Sequence, residues 1–176
     1  MSLTIRSARP ADSALIFALV GELADYEKLT AAVDATPEQI AAALFSPQPS
    51  LFCDIAEWDG APAGFAVWFL NFSTFRGRHG IYLEDLFVRP AFRRHGIGKA
   101  LLMRLAQHCV ERGHARFEWA VLDWNAPAIA FYRSIGAQVM DDWRICRLSG
   151  KALHEFAAVG GTWKDGLPLM PPEVSA

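Results

Sequence analysis

The chain has 176 residues, 52% hydrophobic and 20% charged, with 17 basic and 19 acidic side chains and a formal net charge of −2. That length and composition suit one domain with a full core and exclude disorder over most of the chain. The charge balance excludes a general nucleic-acid binder, and no apolar run reaches membrane-spanning length.

The opening residues Leu3 to Ala8 read as a strand. Pro10 and Asp12 announce a helix, with Leu15, Ile16, Leu19, Val20 and Leu23 on one face at helical spacing. Thr36-Pro37-Glu38-Gln39 is a second helix start: Thr36 caps, Pro37 suits the first position and Gln39 completes a capping box. This helix stops before Pro47. Leu51 to Trp58 and Ala63 to Phe72 predict strands joined at Asp59-Gly60, a hairpin signal. Gly80 to Val88 predicts a further strand, interrupted by Asp85 and ended by Pro90. Gly98 to Arg112 predicts a helix with an apolar stripe from Leu101 to Cys109, stopped at Gly113. A strand over Arg116 to Leu122, a helix over Ala126 to Ile135, a late strand over Trp143 to Leu148 and a short helix over Ser149 to Ala157 complete the order. Hairpins mixed with βα crossovers predict an α/β (α+β) fold, a mixed sheet with helices on both faces. The strand from Phe65 to Phe72 is apolar on both faces, which predicts burial on both sides. Residues 1–158 form the expected domain, and a Gly/Pro-rich tail follows over 159–176.

Cys53, Cys109 and Cys146 are odd in number and form no CxxC pair, so no disulfide framework is expected. His79, His95, His108, His114 and His154 lack ligand spacing, and no metal is expected. The N-terminus has no apolar secretory stretch, and the reducing cytoplasm is the expected compartment.

The chemistry concentrates in Tyr82 to Ala100, YLEDLFVRPAFRRHGIGKA. A strand runs into a short basic loop and then a helix. Unpaired N–H groups at a helix start, aided by the dipole, favour an anion. Gly96 and Gly98 let a phosphate approach the backbone, and Arg93, Arg94, His95 and Lys99 surround them. A P-loop fails, because Ala100 follows Gly98-Lys99 and Arg93 stands where its first glycine belongs. A dinucleotide fingerprint fails at Leu101, where its third glycine belongs.

Arg93-Arg94-His95-Gly96-Ile97-Gly98 does resemble the coenzyme A loop, Arg/Gln-x-x-Gly-x-Gly/Ala, of the GNAT N-acetyltransferases. With ELADYEKL, YLEDLFV and DWNAPAIAFYRSIGA in the same order, the chain resembles their spermidine/spermine and thialysine acetyltransferase branch from about Ile5 to about Phe156. The resemblance implies a GNAT-type, mostly antiparallel twisted sheet with a splayed pair of parallel central strands. It implies acetyl-CoA as co-substrate, direct transfer to a small cationic primary amine and a homodimer. Polyamines, diamines and thialysine-like amino acids head the substrate classes.

Residue by residue, the resemblance puts the pantetheine against the backbone of Leu86, Phe87 and Val88, a strand edge that offers N–H and C=O groups to an amide chain. It puts the pyrophosphate on the loop from Arg93 through Arg94, His95, Gly96, Ile97 and Gly98 to Lys99. Asn125, Pro127 and Ala128 match a second coenzyme contact, and Tyr132 matches the proton donor to the leaving thiolate. Glu84 matches the proton acceptor. An alkylamine of pKa about 10.4 is only ~0.1% neutral near pH 7.4, so an acceptor is chemically required. The N–H of Leu86 is a candidate oxyanion donor. Tyr26, Glu27, Glu84, Asp85, Glu118, Trp119 and Ala120 match amine-pocket positions. Either Asp141 or Asp142, before Trp143-Arg144, matches one more, since the loop before them is shorter than in the family. Adjacent strand residues face opposite sides, so Glu84 and Asp85 share one site only across a bulge. Two other functions stay open: acetylation of a protein, peptide or aminoglycoside amine, and a catalytically idle coenzyme A sensor.

Overall fold

The computed structural model describes residues 2–159, so the expected tail beyond Val159 lies outside the described residues. The chain divides into two compact units, one ending at Ala120 and one beginning at Val121.

The first unit is a five-stranded sheet in the order β1-β2-β3-β4-β5. Its strands are β1 (Leu3–Ser7), β2 (Phe52–Trp58), β3 (Ala61–Ser73), β4 (Arg78–Val88) and β5 (Phe117–Trp119). The first four pair antiparallel and β5 joins β4 in parallel, which is the mixed, mostly antiparallel sheet expected. The β2–β3 turn holds Asp59 at φ 49° and Gly60 at φ 79°, the two positive values a tight right-twisted hairpin demands. Helix α1 (Ser13–Glu27) and helix α2 (Pro37–Phe45) cover one face. There Ile16, Leu19, Leu23 and Leu44 pack with Cys53, Ile55, Phe65, Val67 and Phe87. Helix α3 (Ile97–Glu111) buries Ile97, Leu101, Leu102, Leu105 and Cys109 and packs on β2 to β5.

Local chemistry explains the helix ends. Thr36 and Gln39 exchange bonds: the Gln39 N–H donates to Thr36 Oγ1 at 3.3 Å and the Thr36 N–H to Gln39 Oε1 at 2.9 Å. Lys28 ends α1 in the left-handed region at φ 61°, and the Leu29 N–H closes on the Ala24 carbonyl at 2.8 Å. Buried Asp54 accepts from Arg104 Nε at 2.8 Å and Trp68 Nε1 at 3.1 Å, tying α3 to the sheet.

Some expectations differ from the structure, and the strand expected over Arg116 to Leu122 covers only Phe117–Trp119. Phe65, Ala66 and Val67 of β3 are buried as foreseen, but Leu70 and Phe72 are 42% and 52% exposed. Toward its far end β3 runs past the helices into the β3–β4 hairpin. In the second unit, α4 (Ala126–Ser134) and α5 (Gly150–Ala158) form as expected. Trp143 to Leu148 forms no strand; its side chains are exposed, and the Trp143 N–H closes a turn on the Met140 carbonyl at 3.2 Å. Among the described residues, the parallel pair β4–β5 therefore ends the sheet instead of lying inside it.

Candidate active site

The site grows from a defect in β4. Val67 pairs with Asp85, but Trp68 pairs with Leu83, so Glu84 is an extra residue in a bulge. Asp85 thus lies on the same face as its partner Val67 and as Phe87, the face covered by α1. Glu84 itself is exposed.

The parallel pairing fails at the same point. β5 matches β4 only over Ile81↔Phe117, Tyr82↔Glu118 and Leu83↔Trp119. Beyond Leu83 no described strand covers that edge of β4. Backbone directions there follow from two contacts. The Arg89 N–H donates to the Ala63 carbonyl at 2.9 Å, and a Cβ on Gly64 would meet the Phe87 carbonyl oxygen at 2.5 Å. Arg89 and Phe87 therefore turn their backbone groups to β3. By alternation Leu86 and Val88 turn theirs outward, where an amide chain could add as a strand. Phe87 contributes a buried ring.

A loop at the end of this edge leads into α3. Arg94 at φ 66° and Gly96 at φ 77° both take left-handed conformations. Gly96 is the N-cap of α3 and supplies no side-chain cap, so the first-turn N–H groups of Ile97, Gly98 and Lys99 stay open to an anion. At Gly96 glycine is required by φ and not by space, since nothing lies within 4 Å of a built Cβ. The His95 ring lies 4.7 Å from that of Trp58. Arg93 folds back: its Nε donates to the Val88 carbonyl at 3.0 Å and its guanidinium lies 4.7 Å over the Tyr26 ring.

The opposite end of the exposed edge is acidic. Glu27, in the last turn of α1, joins Glu84 and Asp85 in one electrostatic group. Burial, then the charges of Glu84 and Glu27, push the Asp85 carboxyl up to about 6. Burial also raises Glu27. Tyr26 precedes Glu27 in the chain, and its ring lies 6.5 Å from that of Phe87.

The remaining expected residues come from β5, its end and the second unit. Glu118 on β5 accepts from Arg116 Nε at 2.7 Å and Asn71 Nδ2 at 2.9 Å, which engages it in the strand end. Trp119 contacts Phe117 at 4.8 Å between ring centroids, and Ala120 is exposed at the end of the first unit. The second unit holds Asn125, whose Oδ1 caps α4 by accepting from the Ala128 N–H at 3.4 Å, with Pro127 in the first turn. Tyr132 on α4 has its ring 5.6 Å from Phe131. The Asp141 carbonyl accepts from Arg144 Nη1 at 2.8 Å, and Asp142 is exposed.

Two supporting residues escaped the sequence reading. Arg89 clamps the end of β4 to α1 through Glu22 at 2.6 Å and to the Pro62 carbonyl at 2.9 Å. Glu22 and Arg89 are 67 positions apart, so no local signal pairs them. Gly64 did carry one, as a glycine inside a strand pattern that marks close backbone approach.

An acetyltransferase (GNAT) family model matches residues 18–137. The chain belongs to the GNAT acetyltransferase family. This acetyltransferase is 34% identical to the L-ornithine N5-acetyltransferase of Arabidopsis thaliana, over 85% of this chain and 86% of that relative. It is 35% identical to the thialysine N-epsilon-acetyltransferase of Bos taurus, over 87% of this chain and 96% of that one. Its fold matches an integron cassette protein from the mobile metagenome of V. cholerae at a TM-score of 0.74 and 26% identity, covering 89% and 98% of the two chains.

Proposed function

We propose that this acetyltransferase moves acetyl from acetyl-CoA directly to a primary amine of a small cationic molecule, either a thialysine- or ornithine-like amino acid or a polyamine. The observation that carries the reading is the acidic group of Glu27, Glu84 and Asp85 beside an uncovered strand edge. Grouped carboxylates favour a cationic substrate and oppose an anionic one. The identity to acetyltransferases named for ornithine and thialysine supports the same class.

The chain's groups suit a coenzyme A arm. The outward N–H and C=O groups of Leu86 and Val88 match an amide chain, and the loop from Arg94 to Lys99 presents N–H groups at a helix start. Acetyl-CoA supplies an activated thioester and a thiol leaving group. Glu84 accepts the proton that the attacking ammonium must lose, through water or directly. Glu27 and Asp85 hold the cation, and the Leu86 N–H donates to the oxygen that gains charge during attack. Asn125, Pro127 and Ala128 extend the coenzyme contact. Tyr132 donates a hydrogen bond or a proton to the leaving sulfur, a role open to a phenol with its reference pKa of about 10.

Direct transfer, without an acyl-enzyme, is supported by the free thiols of Cys53 and Cys109, which are buried and pushed up. The same unpaired thiols support a reducing cytoplasm. The exposed Leu70 and Phe72 support a homodimer, which light scattering on the purified chain tests.

Release of coenzyme A thiol from acetyl-CoA decides the function. The amine panel is thialysine, ornithine, lysine, spermidine and an aminoglycoside, run beside Tyr132→Phe. Turnover of an aliphatic amine that falls at least tenfold in the variant supports the reading. Acetyl-CoA binding with no turnover of any amine overturns the small-amine assignment and favours a macromolecular substrate or a sensor.

A further inference from the structure

The geometry points to Arg116 as a specificity-determining residue that reads the α-carboxylate of a diamino acid, an inference that rests on the proposed function. The strand register places it. Val67, Phe69 and Asn71 alternate along β3 and so share a face, and they pair with Asp85, Tyr82 and Gly80 of β4. Glu118 of β5 pairs with Tyr82 from the other side. Its Oε2 accepts from Asn71 Nδ2 at 2.9 Å and from Arg116 Nε at 2.7 Å, which sets the Arg116–Glu118 ion pair on the same face as Asp85. Gly80 makes the room: a Cβ there would meet Arg116 Cγ at 2.8 Å and Asn71 Oδ1 at 2.5 Å. The arginine stem thus lies close against the sheet.

The ion pair and the acidic group stand at the spacing of a diamino acid. From Asp85 to Glu118 is two residues along the sheet and one strand across, about 8 Å between α-carbons. The arm from the α-carbon to the ω-nitrogen of ornithine or thialysine spans about 5–6 Å, and a hydrogen bond at each end takes up the rest. Tyr82 lies between, its ring 5.1 Å from that of Phe69, and offers the methylenes an apolar floor. Both polar contacts run through Glu118 Oε2 and Arg116 Nε, and the Arg116 and Glu118 side chains are 39% and 43% exposed. The Arg116 Nη groups form a fork suited to a carboxylate, and Glu118 Oε1 suits an ammonium. An amino-acid head carries those two charges in reverse, and its ω-ammonium then reaches Glu27, Glu84 and Asp85. A diamine of the same length satisfies the acidic group and leaves Arg116 unmatched, so the site selects diamino acids over diamines.

Putrescine is ornithine without its carboxylate, and cadaverine is lysine without it. Coenzyme A thiol release with each pair reads the selectivity as a ratio of kcat/KM. Wild type should favour the amino acid of at least one pair by about tenfold or more, the worth of one charge-assisted bond. Arg116→Gln should lose that preference through a rise in the amino-acid KM, while the diamine kcat/KM holds. Arg116→Lys keeps the charge without the fork and should fall between. The diamine also controls for folding, since a merely structural role for Arg116 would lower both members of a pair together. Such a parallel loss, an unchanged ratio in Arg116→Gln, or a wild type that favours the amino acid of neither pair overturns the inference and leaves the proposed function standing. A wild type that turns over neither amino acids nor diamines overturns both.

Discussion

The two ends of the uncovered β4 edge are built from different materials. The loop from Arg93 to Lys99 works through backbone, by left-handed residues at Arg94 and Gly96 and a helix start without a side-chain cap. The acidic end is built from side chains, Glu27 from α1 and Glu84 and Asp85 from a bulge, where burial and then the charges of Glu84 and Glu27 raise Asp85. A backbone site depends on conformation and tolerates most side-chain changes. A side-chain site fails when one group is replaced. Substitutions at the two ends should therefore separate cleanly, with coenzyme affinity moving at one and chemistry and pH response at the other.

The largest effect should come from Glu84→Gln. Amide for carboxylate keeps the shape and removes the proposed proton acceptor, worth about a hundredfold or more in kcat. Coenzyme A affinity should stay within about twofold, because the loop is backbone-built. Steady-state kinetics with calorimetry reads both. An unchanged kcat would remove Glu84 from the chemistry, and a large loss of coenzyme affinity would dissolve the contrast between the two ends.

Asp85→Asn should be next. The folded carboxyl titrates at about 6, above an unfolded carboxyl near 3.8. Between those values the folded state holds a proton that the unfolded state has lost, so stability falls as pH rises through that window. Above it the ionised, half-buried Asp85 costs about 1–2 kcal/mol, after allowance for screening at its exposed side. The asparagine variant should gain that amount in urea unfolding at pH 8 and almost nothing at pH 4. A gain that is the same at both pH values would mean Asp85 is not the titrating group. In wild type, a bound cation should pull the same carboxyl down, so amine binding near pH 6 should release protons to the buffer.

Gly96→Ala is a smaller test of the loop. Its Cβ meets nothing, so the cost is conformational alone, about 1 kcal/mol for a left-handed alanine. Coenzyme A affinity should weaken about fivefold, with the amine KM and the Asp85 pH response unchanged. A shift in that pH response would show that the loop and the acidic end are mechanically joined.

The same division governs what the sequence made legible. The Asp59-Gly60 turn, the start of α1 and the ends of α3 are local events, set by residues a few positions apart, and each formed within a few residues of where it was expected. Glu84 and Asp85 were named, but their separation depended on a register slip against Val67 and Trp68 that neither strand announces alone. The Arg89–Glu22 clamp and the commitment of Glu118 to Arg116 and Asn71 are long-range pairings, decided by packing. Trp143 to Leu148 shows the converse. Alternating apolar residues suit a strand, yet a strand also needs a pairing partner, and this segment pairs with none of the described strands.

Thr36→Ala is the smallest of these tests and the cleanest measure of how local a local signal is. Thr36 and Gln39 satisfy each other's backbone N–H groups at the start of α2, and neither belongs to the candidate site. Removing the hydroxyl forfeits one of the two bonds. The helix has nine residues, and Leu44 is its one buried residue, so the cap is a large share of what holds its first turn. The expected loss is about 1 kcal/mol in urea unfolding, in the middle of the range for such caps. Coenzyme and amine affinities should hold at wild-type values, because α2 reaches the sheet through Leu44 on β2 and β3 while the site hangs on β4 and the last turn of α1. A loss of amine affinity in this variant would mean that α2 sets the position of Glu27, and the acidic end would then depend on helix packing as much as on the β4 bulge.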